Sequence, residues 1–140
     1  MAVTFSLISV ATLPWWLSML LFPRTPSTRT LVTSPWPFVG LAGAYAGLLA
    51  ATLVAGAAPP SLDPHALADA MGRPLGFLTA WAHMVTLDLF AGVWLFRDAR
   101  FYGRLPRTEL ILTWVAGPLG LGLYLWRRRG WSASVGRTVN

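Results

Sequence analysis

Two side chains, His83 and Asp88, lie inside the apolar stretch 81–96, WAHMVTLDLFAGVWLF. An imidazole takes up or releases a proton near neutral pH, and a carboxyl can donate one or accept one. Together they could carry general acid–base chemistry without a redox step. With the residues before it, the stretch is long enough to cross a bilayer as a helix. Ionisable groups at that depth are costly unless paired or wet, so they default to a functional reading. No other long apolar run holds an ionisable group well inside it.

Helical periodicity constrains how the two could act. Trp81 and Asp88 are seven residues apart and share a face within about 20°. His83 lies about 140° round from Asp88, so the pair does not share a face. For Asp88 two readings stand side by side. One is a structural hydrogen bond to Tyr45 or to the Trp114 carbonyl, and the other is direct contact with a ligand.

What the chain lacks narrows the chemistry. It has no Cys, which removes thiol nucleophiles, disulfides and thiolate metal sites. All eleven basic residues are Arg, so no lysine can form a Schiff base. Its two histidines, His65 and His83, are too few for a histidine-rich di-iron centre. His65 reads as a solvated surface residue. Neither a metal nor another cofactor is expected.

These residues must be positioned by membrane helices. The 140-residue chain is 55% hydrophobic and 11% charged, against about a quarter charged in a soluble domain. The net charge of +6 does not indicate nucleic acid, because the arginines sit at the ends of apolar runs, where lipid headgroups are met. The apolar runs are 3–22, 36–57, 74–96 and 108–126. They predict an all-α integral membrane protein, an up-down four-helix bundle with both termini on one side. Residues 1–130 form its single domain and 131–140 a flexible tail. The first run reads as a retained helix rather than a signal peptide. The connections carry six Arg on one side and five on the other, which leaves the orientation open.

Within the runs, Pro14 should kink the first helix by removing a donor. Trp15 and Trp16 follow, lining a cavity or facing lipid. The second run carries Gly40, Gly43, Ala44 and Gly47, and Gly43 with Gly47 makes a GxxxG that predicts close helix approach. Residues 23–35 read as a loop with one helical turn, ending in Ser34-Pro35 as the entry to the second run. Asp63-Pro64 predicts the start of a short interfacial helix. Arg97, Asp98, Arg100, Arg104 and Arg107 read as a basic loop. In the fourth run Gly117-Pro118-Leu119-Gly120 is a break, and Pro118 leaves the Trp114 carbonyl without its helical donor. Matching antiparallel runs by depth puts Trp15, Trp16, Gly43, Tyr45, Asp88 and Gly117-Pro118 in one layer, to within about one turn.

The third-run motif, Trp81-Ala-His83 followed by Asp88-Leu-Phe, resembles that of the abscisic-acid-deficient-four-like family, whose plant members are neoxanthin synthases. Leu13-Pro14-Trp15, the segment from Ser34 to Leu41, Arg97-Asp98 and Gly117-Pro118-Leu119-Gly120 are similar to other parts of that family in the same order. The resemblance implies a four-span membrane protein that converts a xanthophyll epoxide to an allenic alcohol, with no redox change and no cofactor. With no long transit region ahead of the first run, a bacterial member is expected, in the inner membrane or another pigment-containing membrane.

On that basis Asp88 would serve as the acid at the epoxide oxygen and His83 as the base. Trp81, Trp15, Trp16, Tyr45 and Trp114 would line the polyene. Pro14, Gly43, Gly47, Gly117, Pro118 and Gly120 would be structural. The expected partners are membrane lipid, a carotenoid or other apolar pigment, and other membrane subunits. The alternative is a non-catalytic pigment-binding protein, or an accessory subunit of a larger membrane complex, photosynthetic complexes included.

Overall fold

The structure, a computed structural model, describes residues 1–57, 59, 61 and 63–131. The expected tail, apart from Trp131, lies outside them. The described residues are helical with no strand: α1 (Ala2–Ala11), α2 (Leu13–Leu21), α3 (Pro26–Thr33), α4 (Trp36–Val54), α5 (Pro64–Gly72), α6 (Pro74–Phe101) and α7 (Arg107–Arg128). Four segments are long and apolar enough to cross a membrane: Ala2–Leu21, Trp36–Val54, Pro74–Phe101 and Arg107–Arg128. Contacts divide the chain into two compact units. The first is Met1–Thr12 with Pro35–Leu87, and the second is Leu13–Ser34 with Asp88–Asn140.

In the first unit, α4 meets its neighbours along one stripe. Leu41 and Thr52 are buried, and Tyr45 and Leu48 are half-buried. These four recur at spacings of four, three and four, which keeps them on one side of a helix. The Thr52 and Thr79 hydroxyls lie 2.9 Å apart, tying α4 to α6, and Thr79 also donates to the Leu75 carbonyl. The glycines of α4 fall on the opposite side. A Cβ added at Gly40, Gly43 or Gly47 would meet nothing within 4 Å, so the close approach expected at Gly43 and Gly47 is absent. The close approach in this unit is at Gly76 instead, where a Cβ would run into the Ala70 carbonyl. Helix α4 ends at Gly56 (φ 62), where the Gly56 and Ala57 amides bond back to the Leu53 and Thr52 carbonyls. Helix α5 begins as expected, with Asp63 accepting from the His65 and Ala66 amides.

In the second unit, the connection after α2 holds more helix than expected. The Thr25 side chain caps α3 by accepting from the Thr28 amide, and the Thr28 hydroxyl donates to the Phe22 carbonyl at 2.7 Å. Ser34 and Pro35 give α4 no side-chain cap. Helix α6 also runs further than expected, to Phe101, so Arg97, Asp98 and Arg100 are helical rather than part of a loop. It stops at Gly103 (φ 68), a left-handed turn that glycine adopts without a Cβ clash.

The largest departure from expectation is α7. Its backbone leaves the helical region at Ala116 (φ −147, ψ 45) and Gly117 (φ 6, ψ −78), just before Pro118. The arms on either side fold back on each other. Arg127 Nη1 reaches Glu109 Oε1 at 2.7 Å. On a straight helix these residues, 18 apart in sequence, would stand about 27 Å from each other. A Cβ at Gly120 would run into the Thr113 amide and the Glu109 carbonyl. Only glycine lets the two backbones meet so closely. The run ends beside its own start, so α7 is two arms joined at a turn rather than one straight helix. The sequence predicts a break at Gly117-Pro118, and the structure turns that break into a reversal.

Candidate functional site

Asp88 sits at the tip of the α7 hairpin. Its carboxyl fills the space where a Gly117 Cβ would be, near the level that depth matching assigned to Ala116-Gly117. It is half-buried, and no hydrogen bond or ion pair joins it to another described residue. Of the two readings of Asp88, the structural hydrogen bond to Tyr45 or to the Trp114 carbonyl is therefore absent. One turn along α6, Gly92 receives the Trp16 indole, whose Cη2 would lie 2.5 Å from an added Cβ. Trp16 is 1% exposed and stacks on Trp114 at 6.0 Å and 17°. Asp88, Gly92, Trp16, Trp114 and Gly117 thus form one group within the second unit, with an unpartnered carboxyl beside two stacked indoles. Trp15 turns elsewhere and donates its indole N–H to the Leu31 carbonyl at 3.1 Å.

Tyr45, Trp81 and His83 lie in the first unit and form two separate contacts. His83 is exposed, and its ring lies 5.6 Å from the Tyr45 ring, tilted by 46°. Trp81 packs with Phe5 at 4.9 Å and Phe77 at 6.2 Å. Its indole N–H donates to the Ser9 hydroxyl at 3.0 Å, and Ser9 in turn donates to the Phe5 carbonyl. Trp81 and His83 are two positions apart on α6, about 200° round the helix, so one addresses α1 and the other α4. Pro14 stands just after the break at Thr12 that separates α1 from α2.

An ionic group went unforeseen. Asp98 pairs with Arg128 Nε at 2.7 Å and accepts from the Tyr124 hydroxyl, while Trp94 meets the Tyr124 ring edge-on at 5.8 Å. These contacts hold the second arm of α7 against the last turns of α6. The arginines at 127 and 128, expected to meet headgroups, therefore hold carboxylates of the chain itself. Residue spacing gave no signal for this. On a straight fourth helix Glu109 and Arg127 occupy opposite ends, and only the reversal joins them.

The ABA DEFICIENT 4-like family matches residues 3–124. The chain belongs to the ABA DEFICIENT 4-like family. No curated protein matches it, and no solved structure does. Family membership and the four apolar segments together make it a membrane protein related to carotenoid metabolism.

Proposed function

We propose that this protein binds a carotenoid and opens a xanthophyll epoxide without redox chemistry, with Asp88 as the acid. The observation that carries this reading is the unpartnered, half-buried Asp88 carboxyl beside the Trp16–Trp114 stack. Indole faces suit a polyene, which offers only apolar and π surface. A protonated Asp88 would deliver its proton to the epoxide oxygen as the C–O bond breaks. The proton lost from the neighbouring carbon would then pass to the carboxylate left on Asp88. One proton enters and one leaves, so the product is an isomer of the substrate and no cofactor is required.

In this reading the protein is one membrane domain of three passes, with α7 as a re-entrant hairpin. Each α7 arm is about 14–17 Å long, half of a roughly 30 Å hydrocarbon core. Non-helical backbone is tolerated at that depth where protein buries it, and Asp88 would cover the tip. A bacterial inner membrane is the proposed location.

Purified protein in mild detergent, offered an epoxy-carotenoid, should convert it to an isomer of equal mass, separable by chromatography. Asp88→Asn should cut turnover by about a hundredfold or more while melting like the parent, since Asp88 has no bonded partner to lose. Undiminished turnover by that variant would remove Asp88 from the mechanism.

A second reading is favoured by His83 itself. It is exposed and, among the described residues, makes only the ring contact with Tyr45, so its imidazole is available to ligate a pigment magnesium. Pigment that co-purifies and is lost in His83→Leu, with no turnover of any epoxide, would favour this non-catalytic role.

A further inference from the structure

The open end of the α7 hairpin borders an open cavity of about 730 Å³ between the hairpin's entry and its exit. Arg104, Arg107 and Arg127 line it, with Trp126 and Trp131 beside them and Glu109 among the lining residues. Glu109 is 4% exposed and already engaged by Arg127 at 2.7 Å. That pair is neutral, so Arg104 and Arg107 leave the cavity with two uncompensated positive charges. Arg104 lies over the Trp131 ring at 4.7 Å. Stacking fixes a guanidinium by its face and leaves its N–H edge available. Arg107 is exposed and, among the described residues, its side chain has no hydrogen-bond or ion-pair partner. Trp126 is 68% exposed.

Two guanidinium forks match the oxygens of a phosphate. Tryptophans beside arginines are the side chains of a membrane–water boundary, and basic pockets next to membrane helices take anionic headgroups. The cavity is not part of the Asp88 group, and the proposed carotenoid chemistry does not use it. We propose that it is a binding site for the phosphate headgroup of an anionic phospholipid, which would seat the mouth of the hairpin at the membrane surface.

The test is binding of short-chain phosphatidylglycerol to the full-length protein in a neutral detergent, followed by native mass spectrometry. Phosphatidylcholine of the same chain length and inorganic phosphate are run in parallel. Phosphatidylglycerol should bind at least about tenfold more tightly than phosphatidylcholine. Arg107→Gln should weaken it by roughly tenfold, as expected for loss of one charge-assisted contact. Arg107 holds nothing else in place, so this variant reads binding rather than folding. Arg104→Gln with Arg107→Gln should weaken it further, whereas Arg24→Gln with Arg29→Gln should leave it unchanged. Phosphate binding as tight as that of phosphatidylglycerol would keep the anion site but identify a free anion as its ligand. Equal binding of phosphatidylcholine would overturn the proposal. So would equal loss in the Arg24/Arg29 variant, which would show only general surface charge.

Discussion

The two units are held together by different chemistry. The first relies on ring contacts among Phe5, Phe77 and Trp81 and on hydroxyls such as Thr52 with Thr79. It leaves the glycine face of α4 open. The second carries both ion pairs found among the described residues, Glu109–Arg127 and Asp98–Arg128, and uses Gly117 and Gly120 to bring chain segments into contact. A GxxxG pattern and a Gly-Pro-x-Gly pattern look alike as small-residue signals. What separates them is the neighbour. On α4 the contact stripe of Leu41, Tyr45, Leu48 and Thr52 points away from the glycines, whereas on α7 the glycines are the contact.

That contrast can be broken most sharply by size. Gly120→Leu should be the most damaging single change, costing about 3 kcal/mol or more, because its side chain would meet the backbone of Thr113 and Glu109. Gly43→Leu and Gly47→Leu should each change thermal stability in detergent by less than about 0.5 kcal/mol, since both face open space. Equal losses at the three positions would show that α4 packs its glycines after all.

Next in size is Glu109→Gln. It leaves Arg127, about half exposed, without its carboxylate and should cost about 1–2 kcal/mol. Thr52→Val in the first unit should cost less, about 0.5–1 kcal/mol, because it removes a hydroxyl that contacts only Thr79 and its own helix's Leu48 carbonyl. Melting of both variants in one detergent ranks them. If the threonine were the costlier loss, the hydroxyl contacts rather than the ion pairs would be the stronger ties.

The smallest effect lies at the start of α5. The Ser61 hydroxyl, and then the amides of Ala66 and His65, hold the Asp63 carboxyl below its ordinary pKa. The ionised form is therefore favoured in the folded chain. Its support for α5 is complete above the ordinary carboxylate pKa and fades as pH falls through the lowered value. A carboxyl titration followed by NMR should place Asp63 below the ordinary aspartate value. Asp63→Asn should make the α5 amide shifts insensitive to acid. Titration of Asp63 at or above the ordinary aspartate value would dissolve the cap.

Much of the fold was legible because apolar run length and helix periodicity are local. The four long segments, the Asp63 cap and the break at Gly117-Pro118 follow from residue types alone. The reversal of α7 did not, because Pro and Gly specify that a helix is interrupted, not the angle at which the chain resumes. The angle depends on Gly120 meeting Thr113 and on Glu109 meeting Arg127, contacts that exist only once the arms are folded. For the same reason Asp98 and Tyr124 were overlooked. Of the candidate site, Asp88 near Gly117 was readable by counting residues back from the turns. The Trp16–Trp114 stack depends on Gly92 opening a space in α6, which no periodicity marks. The small-residue stripe of α4 misled because composition does not say which face has a neighbour.

The placement of Asp88 at a turn, the indole stack and the arginine-lined cavity all rest on α7 doubling back. The chain has no cysteine, so paired cysteines can be introduced cleanly. The decisive measurement is cross-linking of a Thr108→Cys, Trp126→Cys variant, whose two positions both line the mouth of the hairpin, with a short bis-maleimide, read by peptide mass spectrometry on membrane-embedded protein. The hairpin predicts an efficient cross-link within one chain, with the two single-cysteine variants as the unlinked controls. A straight fourth helix would hold the two sites about 27 Å apart. Absence of the intramolecular link would then contradict the hairpin.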